Sequence, residues 1–118
     1  MIFILSVLVG CSNDDKYIKL SGESGHWKGE YVATATESSE NGTFTFKYKD
    51  VASDVFFKNL EISINDGETK QKTTNYNEPT VEIQTSCSGC SVTNESIPIY
   101  ITINWDGNEE SFSLEQSK

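Results

Sequence analysis

Two cysteines three positions apart, in Cys87-Ser88-Gly89-Cys90, form the local motif with the most chemical potential in this 118-residue sequence. A C-x-x-C dithiol exchanges with other disulfides when its first thiol is acidified, usually by a helix N-terminus or a neighbouring cation. Here an alternating, strand-like run leads into Cys87, Ser91-Val92-Thr93-Asn94 follows Cys90, and no Lys or His is near in sequence. The expectation is therefore a structural disulfide between Cys87 and Cys90 that closes a tight turn, with a thiol–disulfide redox protein as the alternative. So short a loop removes little entropy from the unfolded chain, and the effect of the bridge is local: it holds the Ser88-Gly89 turn rigid.

The other constellations are weaker. Structural zinc needs two more ligands than the cysteine pair supplies, and the chain has a single histidine, His26. Asp106, Asn108 and Glu110 fall on alternate positions, as the ligands of a calcium loop do, but the twelve-residue loop pattern is absent and Asp-Gly is also an ordinary hairpin turn. No metal and no cofactor is expected. Nucleophilic catalysis would require Ser or Cys, His and a carboxylate to converge on that one histidine, which follows a Gly-containing stretch. No acidic pair is marked out as a general acid and base, so the reading is of a protein that is not an enzyme, with no catalytic residue. Trp27 and Trp105 could stack on a sugar or a partner, but their alternating contexts place both in a core.

Charge narrows the partners. Asp and Glu number 18 against 9 Lys with no Arg, a formal net charge of −9. Such a chain cannot neutralise a row of phosphates, and an acidic bilayer surface repels it, which excludes nucleic acid and charge-driven lipid binding.

Residues 2 to 9 make an apolar run interrupted only by Ser6, the length of a signal-peptide hydrophobic region and too short to span a bilayer. The run closes on Leu8-Val9-Gly10-Cys11, which resembles the bacterial lipobox, and Ser12-Asn13-Asp14-Asp15 follows at once. No Lys or Arg precedes the run. The resemblance implies a lipoprotein signal peptide over residues 1–10, acylation of Cys11, and anchoring in the cell membrane on its extracytoplasmic face, the lipid bilayer being the first partner. Each buried methylene of an acyl chain contributes about 0.8 kcal/mol, so a diacylated cysteine holds firmly. With Cys11 acylated, Cys87 and Cys90 remain as a pair in an oxidising compartment. Residues 11–25 are read as the lipidated Cys and a flexible tether with a root-mean-square reach of roughly 20 Å, although Tyr17, Ile18 and Leu20 could equally make a first edge strand.

The remainder, residues 26–118, reads as one acidic all-β domain. Period-two alternation dominates. Ile97, Ile99, Ile101, Ile103 and Trp105 share a face in a central strand. Trp27, Tyr31, Ala33 and Ala35 share another, as do Phe44, Phe46 and Tyr48, then Val81, Ile83, Thr85 and Cys87, then Phe112 and Leu114. Phe56, Leu60, Ile62 and Ile64 fall on one side with Lys58, which points to a bulge or twist near Phe57 to Asn59. Asn41-Gly42, Asp66-Gly67 and Asp106-Gly107 are read as hairpin turns. Thr69 to Asn77, polar on both faces, is read as an edge strand guarded by Lys70 and Lys72. Seven to eight short antiparallel strands with two apolar faces predict an immunoglobulin-like β-sandwich, with a small β-barrel as the alternative.

The layout of lipobox, Glu23-Ser24 before Trp27 and Tyr31, the Cys87/Cys90 turn and the closing Ile103-Asn104-Trp105-Asp106-Gly107 with Glu110, Phe112 and Leu114 is similar to small surface lipoproteins of Bacillus-type bacteria. That resemblance implies location and fold. Function is then expected to be that of a non-catalytic module that binds an envelope protein or wall polymer, with an acidic inhibitor or immunity protein against a cationic hydrolase or toxin as the alternative.

Overall fold

The computed structural model describes residues 16–50, 54–89 and 92–116. They form eight strands: β1 (Lys16–Glu23), β2 (Trp27–Ala35), β3 (Ser39–Tyr48), β4 (Phe57–Ile64), β5 (Thr69–Tyr76), β6 (Thr80–Ser88), β7 (Ile99–Trp105) and β8 (Asn108–Gln116). All pairings are antiparallel, in the order β5-β4-β7-β8-β1-β2-β3-β6. The two halves meet at β8, which pairs with β7 along most of its length and with β1 only at Glu115 and Gln116. One sheet thus wraps nearly closed around one core, so the all-β antiparallel expectation holds in its barrel form.

Alternation dictates that core. Ile18, Leu20, Trp27, Phe46, Ile62, Ile101, Ile103 and Leu114 are fully buried, and Tyr31, Phe44, Phe57, Leu60, Val81, Ile83, Ile99 and Trp105 complete the cluster. Both tryptophans are core residues. Complete burial of one such side chain contributes about 1.5–3 kcal/mol.

The tether expected over residues 11–25 is, from Lys16 onward, a strand. Ile18 and Leu20 point into the core, and β1 lies between β2 and β8 rather than at an edge. Two apolar side chains on one face outweigh the polar composition around them. The β domain therefore includes Lys16–Glu23 as well as the residues from His26 onward. At its other end β1 comes so close to β8 that a Cβ on Gly22 would stand 1.9 Å from the Ser113 carbonyl oxygen. Only glycine fits there.

Asp66-Gly67 and Asp106-Gly107 are turns with positive φ, as expected. Asn41-Gly42 is not. Both residues lie inside β3, and the β2–β3 turn falls at residues 36–38, closed by Thr36 N donating to Ser39 O at 2.9 Å. Gly42 is required because a Cβ there would meet the Tyr31 hydroxyl at 2.4 Å. In β4 the strand twists where a bulge or twist was expected, at Lys58 and Asn59, both exposed between buried Phe57 and Leu60, with no residue inserted: Phe57↔Tyr76, Asn59↔Thr74 and Leu60↔Thr73 keep one register. The twist shifts the inward position from Phe56, 57% exposed, to Phe57. Ile97 is also exposed, because a turn closed by Ile97 N to Asn94 O keeps it outside β7. Thr69–Tyr76 is the edge strand anticipated from Lys70 and Lys72.

Candidate functional site

Strands that run antiparallel around a barrel gather their connections at two ends. At one end lie residues 24–26, 54–56, 77–79 and 106–107; at the other lie the start of β1, residues 36–38 and 65–68, and the described part of the β6–β7 connection. The first is called here the far end and the second the near end. Each is fastened by a carboxylate.

At the far end, the turn between β1 and β2 carries Ser24 and His26, and β8 brings Glu110 beneath it. Ser24 Oγ donates to Glu110 Oε1 at 2.5 Å, the His26 amide donates to the same oxygen at 2.9 Å, and His26 Nδ1 lies 2.5 Å from Oε2. Desolvation pushes the Glu110 carboxyl up, but the Ser24 hydroxyl and the His26 imidazole and amide outweigh it and hold the group down at about 2. Lys49 secures the turn from its other side, through Nζ to Ser24 O at 2.7 Å and to Glu23 at 2.9 Å, while its amide donates to His26 O.

These are the residue types of a hydrolytic triad in a different order. Acyl transfer needs the imidazole between hydroxyl and carboxylate, so that it can take the nucleophile's proton. Here the carboxylate is the hub: the Ser24 proton is directed at Glu110, and the imidazole holds the opposite oxygen. The geometry pins a turn to β8. Beside it His26 packs on Tyr48 and Trp105, and Trp27 packs on Tyr48, Phe57 and Trp105 with ring centroids 5.1 to 5.7 Å apart.

The three alternate positions considered for calcium have separate partners. Asp106 accepts from the amides of Lys58 and Asn59 at 3.2 and 2.8 Å and so holds the start of β4; Asn108 Nδ2 donates to Trp105 O; Glu110 holds Ser24 and His26. Among the described residues no three His, Cys, Asp or Glu side chains converge as metal ligands.

At the near end the hub is Glu40, 7% exposed and facing the core from β3. It accepts from the Tyr31 hydroxyl, from the Thr93 amide at 2.7 Å and from the Thr93 hydroxyl at 2.7 Å. Burial pushes the Glu40 carboxyl up, and the Thr93 and Tyr31 hydrogen bonds, with Lys16 nearby, more than offset it, leaving it below the usual carboxylate range. Burial and the bond to Glu40 raise Tyr31 to about 12. Glu40 sits directly opposite Cys87 in the β3–β6 register, so the chain after β6 is fixed to the barrel wall through Thr93.

Cys87 is half-buried at the end of β6 and disulfide-bonded. Cys90 and Cys11 lie outside the described residues, and with them the expected pairing and the lipidation. The sequence reading missed Glu40 and Tyr31 as a pair. The signal was there: Glu40, Gly42, Phe44 and Phe46 share one parity, but reading Asn41-Gly42 as a turn cut Glu40 off from that face. Comparison with known protein families, characterised proteins and solved structures finds no match to this chain.

Proposed function

We propose that the chain is an exported lipoprotein, anchored in the cell membrane through acylated Cys11, whose β domain acts without catalysis as a binding or accessory module of the cell envelope. The supporting observation is that the polar clusters of the described domain are carboxylate hubs: Glu110, Glu40 and Asp106 each accept hydrogen bonds from two or more amides or hydroxyls and fasten turns or loops to strands. Such clusters stiffen a scaffold, and in the far-end cluster the imidazole stands on the carboxylate rather than between it and the Ser24 hydroxyl, as a relay would require.

The lipobox sets the orientation. Four residues separate Cys11 from the start of β1 at Lys16, a span of at most roughly 18 Å. The near end then faces the bilayer and the far end is presented outward. The far end displays Phe56, 57% exposed, together with exposed Asp50, Asp54 and Glu78. An aromatic anchor among carboxylates suits a protein partner, and those acids also favour the second reading, an inhibitor or immunity protein that attracts a cationic hydrolase or toxin.

Retention experiments separate the two. Residues 12–118, immobilised through the N-terminus, are exposed to envelope and secreted fractions at low and high salt. Retention of an envelope protein or wall polymer that survives high salt, and is lost in Phe56→Ala, is the expected result. A single basic enzyme that is inhibited and released by salt would establish the inhibitor reading instead. Turnover of any retained component by the chain would overturn both.

A further inference from the structure

A sheet that does not close has two edges, here β5 and β6. They are built differently. β5 carries Lys70 and Lys72, places Asn75 in the left-handed region with φ 52°, and is exposed along most of its length. Charged side chains and local distortion are how edges are protected from pairing with another chain. β6 has neither Lys nor Pro, no residue of positive φ, and an unbroken register against β3 from Ser39↔Ser88 to Lys47↔Thr80.

The alternation of an antiparallel ladder identifies which groups of β6 are open. Tyr48 N donates to Pro79 O at 2.8 Å, so position 79 directs its carbonyl toward β3, and Val81, Ile83, Thr85 and Cys87 follow that parity. Thr80, Glu82, Gln84, Ser86 and Ser88 therefore aim their amides and carbonyls away from the sheet. The Thr80 carbonyl, which accepts from the Tyr76 hydroxyl at 2.6 Å, confirms the direction. Along the same edge Val81 and Ile83 are buried members of the core, at 6% and 8% exposure beside Phe44 at 6% on β3.

We propose that the β6 edge is a docking site for an extended segment of a partner protein, which adds to the sheet as a further strand. Main-chain hydrogen bonds to the outward groups of alternate β6 residues hold the segment, and its side chains alternate between the two faces. Those on the inner face continue the apolar row of Val81 and Ile83 beyond the edge and are apolar. Those on the outer face lie beside Glu82, the single charge of the strand, on a chain of net charge −9, and are cationic. With the Thr80 carbonyl taken by Tyr76, the open groups run from Glu82 to Ser88, from beside the far end along β6. The inference rests on the binding-module reading and names the kind of partner. A second copy is the poorer occupant: antiparallel β6–β6 pairing sets the far end of one copy beside the near end of the other, which two chains anchored in one bilayer cannot satisfy.

The test uses the full chain in detergent micelles and a nine-residue peptide of alternating valine and lysine, matched to the nine residues of β6. Hydrogen exchange over residues 80–88 is expected to slow about tenfold at saturating peptide, while residues 69–76 are unchanged. Gln84→Pro removes one outward amide and none that faces β3, a position where an edge strand tolerates proline. It is expected to keep wild-type exchange over residues 39–48 and to weaken the peptide at least about tenfold. No protection of residues 80–88, protection of β5 instead, equal affinity in Gln84→Pro, or protection that rises with protein concentration in the absence of peptide would each overturn the proposal. Cys11→Ala leaves the peptide affinity unchanged, so failure of edge addition and failure of the anchoring reading are distinguishable.

Discussion

Replacing Gly42 by alanine puts a methyl group where the Tyr31 ring already is. The new Cβ would stand 2.4 Å from the hydroxyl and 2.6 Å from two ring carbons, about an ångström inside ordinary contact. The ring has little room to retreat: it is 3% exposed, packs on Phe44 with centroids 4.3 Å apart, and donates to the buried Glu40 carboxylate. Overpacking a filled core costs about 1–3 kcal/mol. Displacing the hydroxyl removes a hydrogen bond to a charged group, about 1.5–3 kcal/mol more. A loss of roughly 3–5 kcal/mol is expected, lowering the melting temperature by about 12 °C or more for a domain of this size. Urea unfolding read by the fluorescence of buried Trp27 and Trp105 measures it. A second variant sharpens the test. A hairpin turn at Asn41-Gly42 would accept asparagine better than alanine, because asparagine tolerates positive φ, whereas inside β3 the larger side chain is worse. Gly42→Ala within about 1 kcal/mol of wild type, or Gly42→Asn milder than Gly42→Ala, would refute the reasoning.

Other consequences follow from the Glu110 and Glu40 hubs and from β1. Glu110 is held down at about 2 in the folded chain, below its unfolded value near 4.3, so its contribution to stability is present above that value and is lost as pH falls through about 2. Thermal melts of wild type and Glu110→Gln should therefore converge between pH 5 and 2 as the solution is acidified, and a constant difference would contradict the assignment. Tyr31, raised to about 12, contributes stability that is full below about pH 10 and lost between there and 12. A tyrosinate absorbance step near 12 that disappears in Tyr31→Phe checks it, and the same variant should lose about 1.5–3 kcal/mol by leaving Glu40 short of a donor. A chain that starts at residue 24 lacks Ile18 and Leu20, about 3–6 kcal/mol of burial from a typical total of 5–15, and is expected to be unfolded by circular dichroism, whereas one starting at residue 12 folds.

Much of this architecture is legible in the sequence because a half-buried strand reports its inner face by parity. Ile99, Ile101, Ile103 and Trp105, or Phe44 and Phe46, could be placed inward from spacing alone. Parity fails where a third residue intervenes. Phe56 and Phe57 exchange roles where the Asp106 carboxylate, distant in sequence, takes the Lys58 and Asn59 amides at a twist in β4. Gly42 was misleading because a glycine that makes room for a ring across the strand and a glycine that turns a hairpin look alike in one dimension. The candidate clusters were less legible still. Ser24, His26 and Glu110 meet only because β8 runs beneath the β1–β2 turn, a pairing that no local pattern encodes. Glu40 required knowing that a carboxylate can lie inside when Thr93 and Tyr31 supply its donors.

The measurement closest to the central claim is the fate of Cys11. Cells making wild type and Cys11→Ala are labelled with radioactive palmitate and separated into membrane and soluble fractions. A labelled, membrane-bound wild type, beside an unlabelled variant that is no longer anchored as a processed lipoprotein, is the expected result. An unlabelled wild type, or a Cys11→Ala variant that is membrane-bound and processed as before, would contradict the lipoprotein reading.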